Sequence, residues 1–222
     1  MHLYECNETK QFPAFTREAF ALPESTQKTD GDYRYEMIIP HDAFMRVCKD
    51  NNATPAILLS IAMSGAIAKI FPDYDKPINA NIATDMRAAL DCENTFKNCV
   101  YSMILPYDRE FAQMSLKEQA TQYRQMLALQ RDADFCKHEA NAMLGLFDKL
   151  DQLPSFEEKQ SIMSFFESML LNTYIVSYLG LFVLGGNARY VDEIHLYNAG
   201  TAGLGINMIS CGEKFEIGRA HV

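Results

Sequence analysis

The feature that most constrains the fold of this chain is an apolar segment at residues 54–71, TPAILLSIAMSGAIAKIF. Thr54 is a favoured residue type at a helix N-cap, Pro55 suits the first helical position, and Pro72 stops the helix. The polar side chains between these limits are two serines and one lysine, so the helix is apolar nearly all round. At about 1.5 Å per residue it is too short to cross a hydrocarbon layer of about 30 Å comfortably. We therefore predict the core helix of a globular domain.

Composition supports a globular protein and argues against some partners. Of the 222 residues, 48% are hydrophobic and 22% are charged, which is typical of a folded domain rather than a disordered chain. The net charge of −9 argues against a general electrostatic surface for nucleic acid. The N-terminus lacks the order of residues that marks a signal peptide, so we expect a cytoplasmic protein with no membrane span.

Cysteine and histidine spacing gives no catalytic or metal motif. The six cysteines include no C-x-x-C pair, and none of the five histidines belongs to an H-x-x-x-D sequence or follows a nucleophile motif. Reduced, mostly buried thiols are expected. We therefore predict no metal site, no bound cofactor and no catalytic residue within this chain. Among the histidines, His195 is the best candidate for a proton-transfer role, although the sequence support for it is weak.

The order of predicted elements indicates the fold class. Strand patterns and apolar helical spacing give a strand, two helices, two strands, two or three helices, and then a run of strands. Two S-x-x-E capping boxes, at Ser115 and Ser155, open helices in the middle of the chain. The four last predicted strands have the sequences TYIVSYL, ARYVDEIHLY, GLGINMI and KFEI. This order predicts an α/β fold, a layered mixed sheet with helices packed on one face.

Domain limits are also predicted. Residues 1–32 are turn-rich and are interpreted as a linker or edge segment, and residues 33–217 form the folded unit. The C-terminal sequence EIGRAHV resembles the translation of a common sequencing-library adapter. Residues 218–222 are accordingly predicted to be a non-native tail outside the last strand, and the native protein would continue differently after about Ile217.

The sequence of residues 38–105 resembles a known superfamily in its order and spacing. The stretches are IIPHDAFMRVCKDNNATPAILLSIAMSGAIAKI, INANIATDMRAAL and KNCVYSMIL. Thr54 precedes the apolar helix, Arg87 follows a strand, and Asn98 introduces the next strand. This pattern is similar to the C-terminal half of the chloramphenicol acetyltransferase-like superfamily, in particular alcohol acetyltransferases and peptide-synthetase condensation domains.

A second part of the resemblance lies further along the chain. The family has a strand that ends in Ser-Asn-x-Gly, and residues 177–180 read Ser-Tyr-Leu-Gly. The tyrosine departs from the family pattern and puts a polar role of that position in doubt. The resemblance covers residues from about 33 to 217.

The resemblance implies a two-lobed enzyme of which this chain is the C-terminal lobe. In the family, the histidine of an H-x-x-x-D motif on the first lobe acts as general base, in a channel between lobes where a thioester donor meets an acceptor. The donor is acyl-CoA or an acyl-carrier protein, and the acceptor is an alcohol or an amine. The missing N-terminal lobe would precede Met1. Alone, this chain would be inactive, expose an apolar docking face and self-associate.

The resemblance also singles out site residues. Ser177 and Asn98 are expected to bind substrate along the channel, since polar groups at strand ends can orient a substrate. Their alternative roles are a hydrogen bond to a neighbouring strand for Ser177 and a turn cap for Asn98. Asp85, Arg87 and Thr54 are expected to be structural, with Arg87 in an ion pair or bonded to loop carbonyls.

Two other functions stay open at this point. One is a non-catalytic protein of the same fold that binds an acyl thioester or a partner. The other is a self-contained enzyme that uses His195 or His41.

Overall fold

The computed structural model describes residues 3–7, 9–15, 18–23, 33–168, 171–196 and 204–221. Its strands are β1 (Tyr33–Pro40), β2 (Ile78–Asp85), β3 (Val100–Tyr107), β4 (Tyr174–Phe182), β5 (Leu204–Cys211) and β6 (Lys214–His221). Its α-helices are α1 (His41–Asp50), α2 (Pro55–Ile70), α3 (Leu116–Gln130), α4 (Ala133–Asp151) and α5 (Phe156–Ser168). Short 3-10 helices occupy Phe111–Gln113 and Gly185–Tyr190.

The six described strands form one mixed sheet in the order β1-β6-β5-β4-β2-β3. Strands β2, β4 and β5 are parallel neighbours, and the other pairings are antiparallel. The predicted fold class is therefore confirmed. Because the three parallel strands run in one direction, their carboxyl ends lie at the same edge of the sheet.

Helix α2 is the centre of the core. The Thr54 hydroxyl accepts a hydrogen bond from the Ile57 N–H at 3.4 Å, which caps the helix. The helix packs on β2, β3 and β4, and α1 and α3 lie against its sides. From β4, the hydroxyl of Tyr174 bonds to the Ser60 carbonyl at 2.7 Å and to the Ser64 hydroxyl at 2.8 Å. These bonds fix α2 to the middle of the sheet and satisfy polar groups that are buried from water.

Helix α3 closes the outer edge of the sheet. Its predicted capping box is present, because Ser115 and Glu118 exchange side-chain-to-backbone hydrogen bonds. At its other end, the Gln130 side chain bonds to both the N–H and the carbonyl of Ile104, at 2.9 and 3.0 Å. Ile104 belongs to β3, the edge strand, so this side chain occupies backbone groups that would otherwise be open to another strand.

The described part of residues 3–23 lies along α4 and the beginning of β4. The rings of Phe12 and Phe15 meet the ring of Phe135 edge-on, at centroid distances of 5.2 and 5.5 Å. The hydroxyl of Thr173 donates to the Phe20 carbonyl at 2.7 Å. This segment is therefore held on the domain by specific contacts.

Two expectations from the sequence are wrong. The stretch ARYVDEIHLY is not a strand, since its first residues end a 3-10 helix and residues 191–196 are irregular; position 197 lies outside the described residues. The edge of β6 is already occupied by β1. The tail is not outside the last strand either, because β6 continues to His221 and pairs with β1 from Tyr33 to Pro40. Backbone pairing does not depend on which side chains the tail carries. Its non-native origin stays a prediction.

No single described helix is long and apolar enough to span a membrane. Helices α1 and α2 reach that length and composition only together, as a pair bent by 82°.

The Tyr174 hydroxyl yields a stability prediction. Tyr174→Phe removes the donor that satisfies the Ser60 carbonyl inside the core, where Tyr174 is only 1% exposed. The free energy of unfolding should fall by about 1–3 kcal/mol, measured by urea denaturation. The matched control is Tyr35→Phe at an exposed position, which should change it by less than about 0.5 kcal/mol. Equal effects of the two substitutions would contradict this role for Tyr174.

Candidate functional site

The sheet face opposite α2 carries a row of polar side chains. Strand register aligns Ser102 with Ala83, Ser177 with Asn207, and Asn207 with Gly218, which in turn lies beside β1. Side chains alternate along a strand, and on β2 to β6 the residues between these positions belong to the α2 core. We call this surface the open face and define it by the polar side chains that it carries: Glu36, Asn81, Ser102, Ser177, Asn207 and Glu216.

The sheet splits at the middle of the open face. Strands β2 and β4 pair over three residues each, ending where Ile82 lies opposite Val176. Beyond that point β2 stays paired with β3 as far as Asp85, and β4 stays paired with β5, with an irregularity after Tyr178. Ser177 is the first residue of β4 past the split. Ligands of open α/β sheets bind outside the carboxyl ends of parallel strands, which is the position of this split.

Polar atoms beside the split are available to a ligand. The Asn81 amide donates to the Ser102 hydroxyl at 2.9 Å, while its Oδ1 atom is buried without a hydrogen-bond partner among the described residues. Asn207 is only 8% exposed. The half-buried Ser177 hydroxyl has no partner within the described part of the chain. Buried polar groups are normally hydrogen-bonded, so this set has unused capacity.

Asn98 makes a local contact at the start of β3. Its side chain is exposed, and its Oδ1 atom accepts a hydrogen bond from the Val100 N–H at 3.0 Å. Asn98 therefore makes a local turn contact at the beginning of β3. It lies two residues before β3 begins, and within the described residues no hydrogen bond joins it to Ser177.

Arg87 holds the loop that follows β2. Its guanidinium bonds to the carbonyls of Thr95 and Lys97 at 3.2 and 2.9 Å, and its Nη1 atom lies 2.9 Å from Asp85. The Asp85 carboxylate also accepts the Arg87 backbone N–H at 3.1 Å. These hydrogen bonds from Arg87 lower the pKa of Asp85. The contacts are those of a residue that shapes the carboxyl-terminal end of β2.

His195 lies over the β1 and β6 part of the open face. Its Nδ1 atom is 3.3 Å from a Glu36 oxygen and 3.1 Å from a Glu216 oxygen. Its Nε2 atom is 3.5 Å from Glu193, which also binds Lys214 at 2.6 Å. Burial is the main cause that raises the pKa of Glu216; His195 opposes it and Glu36 adds to it. The adjoining cavity, about 20 Å³, is too small for an acyl thioester.

His41 is on the other side of the sheet. Its ring stacks on Phe215, a residue of the α2 core, at a centroid distance of 5.1 Å, and its Nδ1 atom lies 3.2 Å from Asp42. It is therefore remote from the open face. Neither His41 nor His195 borders the split.

Exposed apolar side chains surround the open end of β4. Leu179 and Val183 are 59% and 77% exposed, and Leu181 and Phe182 between them are exposed as well. Helix α5 has the same character, since Phe156, Phe165 and Phe166 lie on its surface. Large exposed apolar surfaces mark sites of interaction with a partner.

Comparison with solved structures shows the fold. TRI101 of F. sporotrichioides, solved with coenzyme A and T-2, is 13% identical with a TM-score of 0.62, covering 97% of this chain and 51% of that one. TRI3 trichothecene 15-O-acetyltransferase from Fusarium sporotrichioides is 14% identical with a TM-score of 0.50, covering 91% and 44%. The nonribosomal peptide synthetase FmoA3 is 13% identical with a TM-score of 0.53, covering 93% and 22%.

These similarities confirm the resemblance predicted from the sequence: the chain has the chloramphenicol acetyltransferase-like fold. The chain spans about half the length of the TRI101 structure, at 51%. It spans 44% of the TRI3 structure and 22% of the FmoA3 structure. Neither a protein-family model nor a curated protein sequence matches the chain.

The Arg87 contacts predict a local effect. Arg87→Ala should speed amide hydrogen exchange in the loop at residues 91–99, because two of its carbonyls lose their guanidinium donor. Exchange in α2 should stay unchanged. The matched control is Arg124→Ala on the exposed side of α3, which should leave the loop unaffected.

The pH dependence of this effect has a definite sign. Because the pKa of Asp85 is lowered, its pair with Arg87 should persist as pH falls through the ordinary aspartate range and be lost only at more acidic pH.

Loop exchange in Arg87→Ala that matches the unsubstituted chain would contradict this account.

Proposed function

We propose that this chain is the C-terminal lobe of a CoA-dependent or carrier-dependent acyltransferase, which transfers an acyl group from a thioester to an alcohol or an amine. The general base, the histidine of an H-x-x-x-D motif, is supplied by a preceding lobe. The observation that carries the proposal is the match of almost this whole chain to half of a structure solved with coenzyme A. This chain supplies one wall of the reaction channel.

The chemistry of the split supports a binding role for that wall. Asn81, Ser177 and Asn207 are amides and a hydroxyl, which do not ionise near neutral pH. Such groups orient a substrate, and their N–H and O–H donors can stabilise negative charge on a thioester carbonyl oxygen during attack. Ser177 is the best placed of them, since its hydroxyl is half-buried at the point where β2 and β4 separate.

The exposed apolar surfaces support a second lobe. Helix α5 carries three exposed phenylalanines, and most of its described side chains are exposed. An amphipathic helix normally buries its apolar side chains in a core. The end of β4 presents a second apolar surface next to the split. A partner lobe that covers both surfaces would also cover the open face and exclude water from the channel.

One observation favours a non-catalytic protein that keeps the fold and binds an acyl thioester. Tyr178 stands where the family pattern has asparagine, and its ring is directed into the α2 core, with its centroid 6.0 Å from that of Phe215. This position therefore offers no polar group to the open face. Binding of acyl-CoA without turnover by the extended protein would favour this alternative.

The proposal predicts the upstream coding sequence and an activity. The gene should encode an H-x-x-x-D motif before Met1, and the extended protein should transfer an acetyl group from acetyl-CoA to an alcohol or amine acceptor. Ser177→Ala should lower kcat/KM at least about tenfold in that protein, because the wall loses a donor beside the thioester carbonyl. The control is Gln125→Ala on the exposed side of α3, which should leave turnover unchanged.

An upstream sequence without the motif, together with no acyl transfer, would contradict the catalytic proposal. Equal turnover for Ser177→Ala and the control would remove Ser177 from the channel wall.

A further inference from the structure

We propose that Glu36, His195 and Glu216 form a binding site for a divalent transition metal ion, best matched by zinc. Glu36 lies on β1, Glu216 lies on β6, and His195 reaches them from the irregular segment at residues 191–196. One ligand atom from each of the three residues lies within 4.8 Å of the other two. This site is distinct from the split between β2 and β4, and the inference does not depend on the proposed function.

Two of the ligand-to-ligand distances in the cluster match those within a tetrahedral zinc site. Zinc–nitrogen and zinc–oxygen bonds of about 2.0–2.1 Å place neighbouring ligand atoms about 3.3–3.4 Å apart. The His195 Nδ1 atom lies 3.1 Å from the Glu216 oxygen and 3.3 Å from the Glu36 oxygen. Two edges of a tetrahedral face are therefore already set, and rotation of the Glu36 carboxylate can set the third.

A buried oxygen in the cluster lacks a partner, which is an independent indication of a ligand. The Glu216 side chain is 8% exposed, and its Oε1 atom has no hydrogen-bond partner within the described residues. Its Oε2 atom faces His195. Glu216 and His195 both line the cavity of about 20 Å³, which has room for one water molecule or one ion. A metal ion in this cavity would use the carboxylate that the protein leaves unsatisfied.

The cluster also offers the charges that a divalent cation binds. Glu36 and Glu216 each direct a carboxylate oxygen at the same imidazole nitrogen. One divalent ion would neutralise both carboxylates and leave the imidazole neutral, the form in which it binds metal.

The surroundings of His195 follow the usual arrangement of a metal-binding histidine. Such histidines bind the metal through one ring nitrogen and direct the other N–H to a carboxylate or carbonyl. Here Nδ1 faces the two glutamates and Nε2 lies 3.5 Å from Glu193. Imidazole nitrogen favours zinc over magnesium or calcium, and three protein ligands leave a fourth position for water.

The bound ion would link two parts of the fold. The ion would bind residues 191–196 to the β1–β6 edge of the sheet and cover that part of the open face. The sequence analysis predicted no metal site, which differs from this proposal. The ligands at positions 36, 195 and 216 share no spacing motif, so sequence alone does not indicate them.

The experiment is a zinc titration of the full chain. After chelation and removal of the chelator, Zn²⁺ is titrated in competition with a metal-sensitive dye, under reducing conditions. We expect one high-affinity ion per chain. Glu216→Gln and His195→Asn should each weaken binding at least about tenfold, since each removes a direct ligand. Glu157→Gln on the exposed surface of α5, which removes a carboxylate away from the cluster, should bind zinc like the unsubstituted chain.

Hydrogen exchange provides a second readout. Zinc should slow exchange at residues 191–196 in the unsubstituted chain and in Glu157→Gln, and not in the two ligand variants. Circular dichroism without metal establishes that each variant is folded; should Glu216→Gln fail to fold, His195→Asn decides. Absence of zinc binding, or equal affinity in ligand variants and control as expected for binding through the six cysteines, would overturn the proposal.

Discussion

The burial of α2 against the centre of the sheet is the constraint on which the rest of this structure depends. The helix is apolar nearly all round and packs on one face of β2, β3 and β4, where the Tyr174 hydroxyl fixes it through Ser60 and Ser64. Side-chain alternation then directs every second residue of each strand to the opposite face. The polar row of the open face is the geometric consequence of how the strands cover α2.

Function is proposed for the open face because its polar groups are incompletely satisfied. At the split, Asn81 has an unpaired buried oxygen and the Ser177 hydroxyl has no partner among the described residues. At the β1–β6 edge, Glu216 has an unpaired buried oxygen as well. A sheet face of this kind needs substrate, water, an ion or another polypeptide to complete its hydrogen bonding. The proposed channel wall and the proposed zinc site would each satisfy unpaired polar groups, at two different places on the open face.

The sequence predicted the fold where local signals are strong and the site only in part. The limits of α2 follow from Thr54 and its flanking prolines, which act within a few residues. By contrast, Asn207 and Glu216 join the open face through strand register, which one sequence does not reveal. The segment around His195 alternates like a strand, yet β1 occupies the sheet edge that it would need. Which side chains are buried, and which strand pairs with which, are decided only when the whole sheet is assembled.

The central claim is that this chain is one lobe whose exposed apolar surfaces, at the end of β4 and on α5, are covered by another lobe in the intact protein. Sedimentation velocity over a range of chain concentrations tests this most directly. The account predicts concentration-dependent self-association of the chain alone, because surfaces that include Val183 and Phe165 are left uncovered. A single sharp boundary at the monomer mass of 25.2 kDa, unchanged across all concentrations, would contradict it.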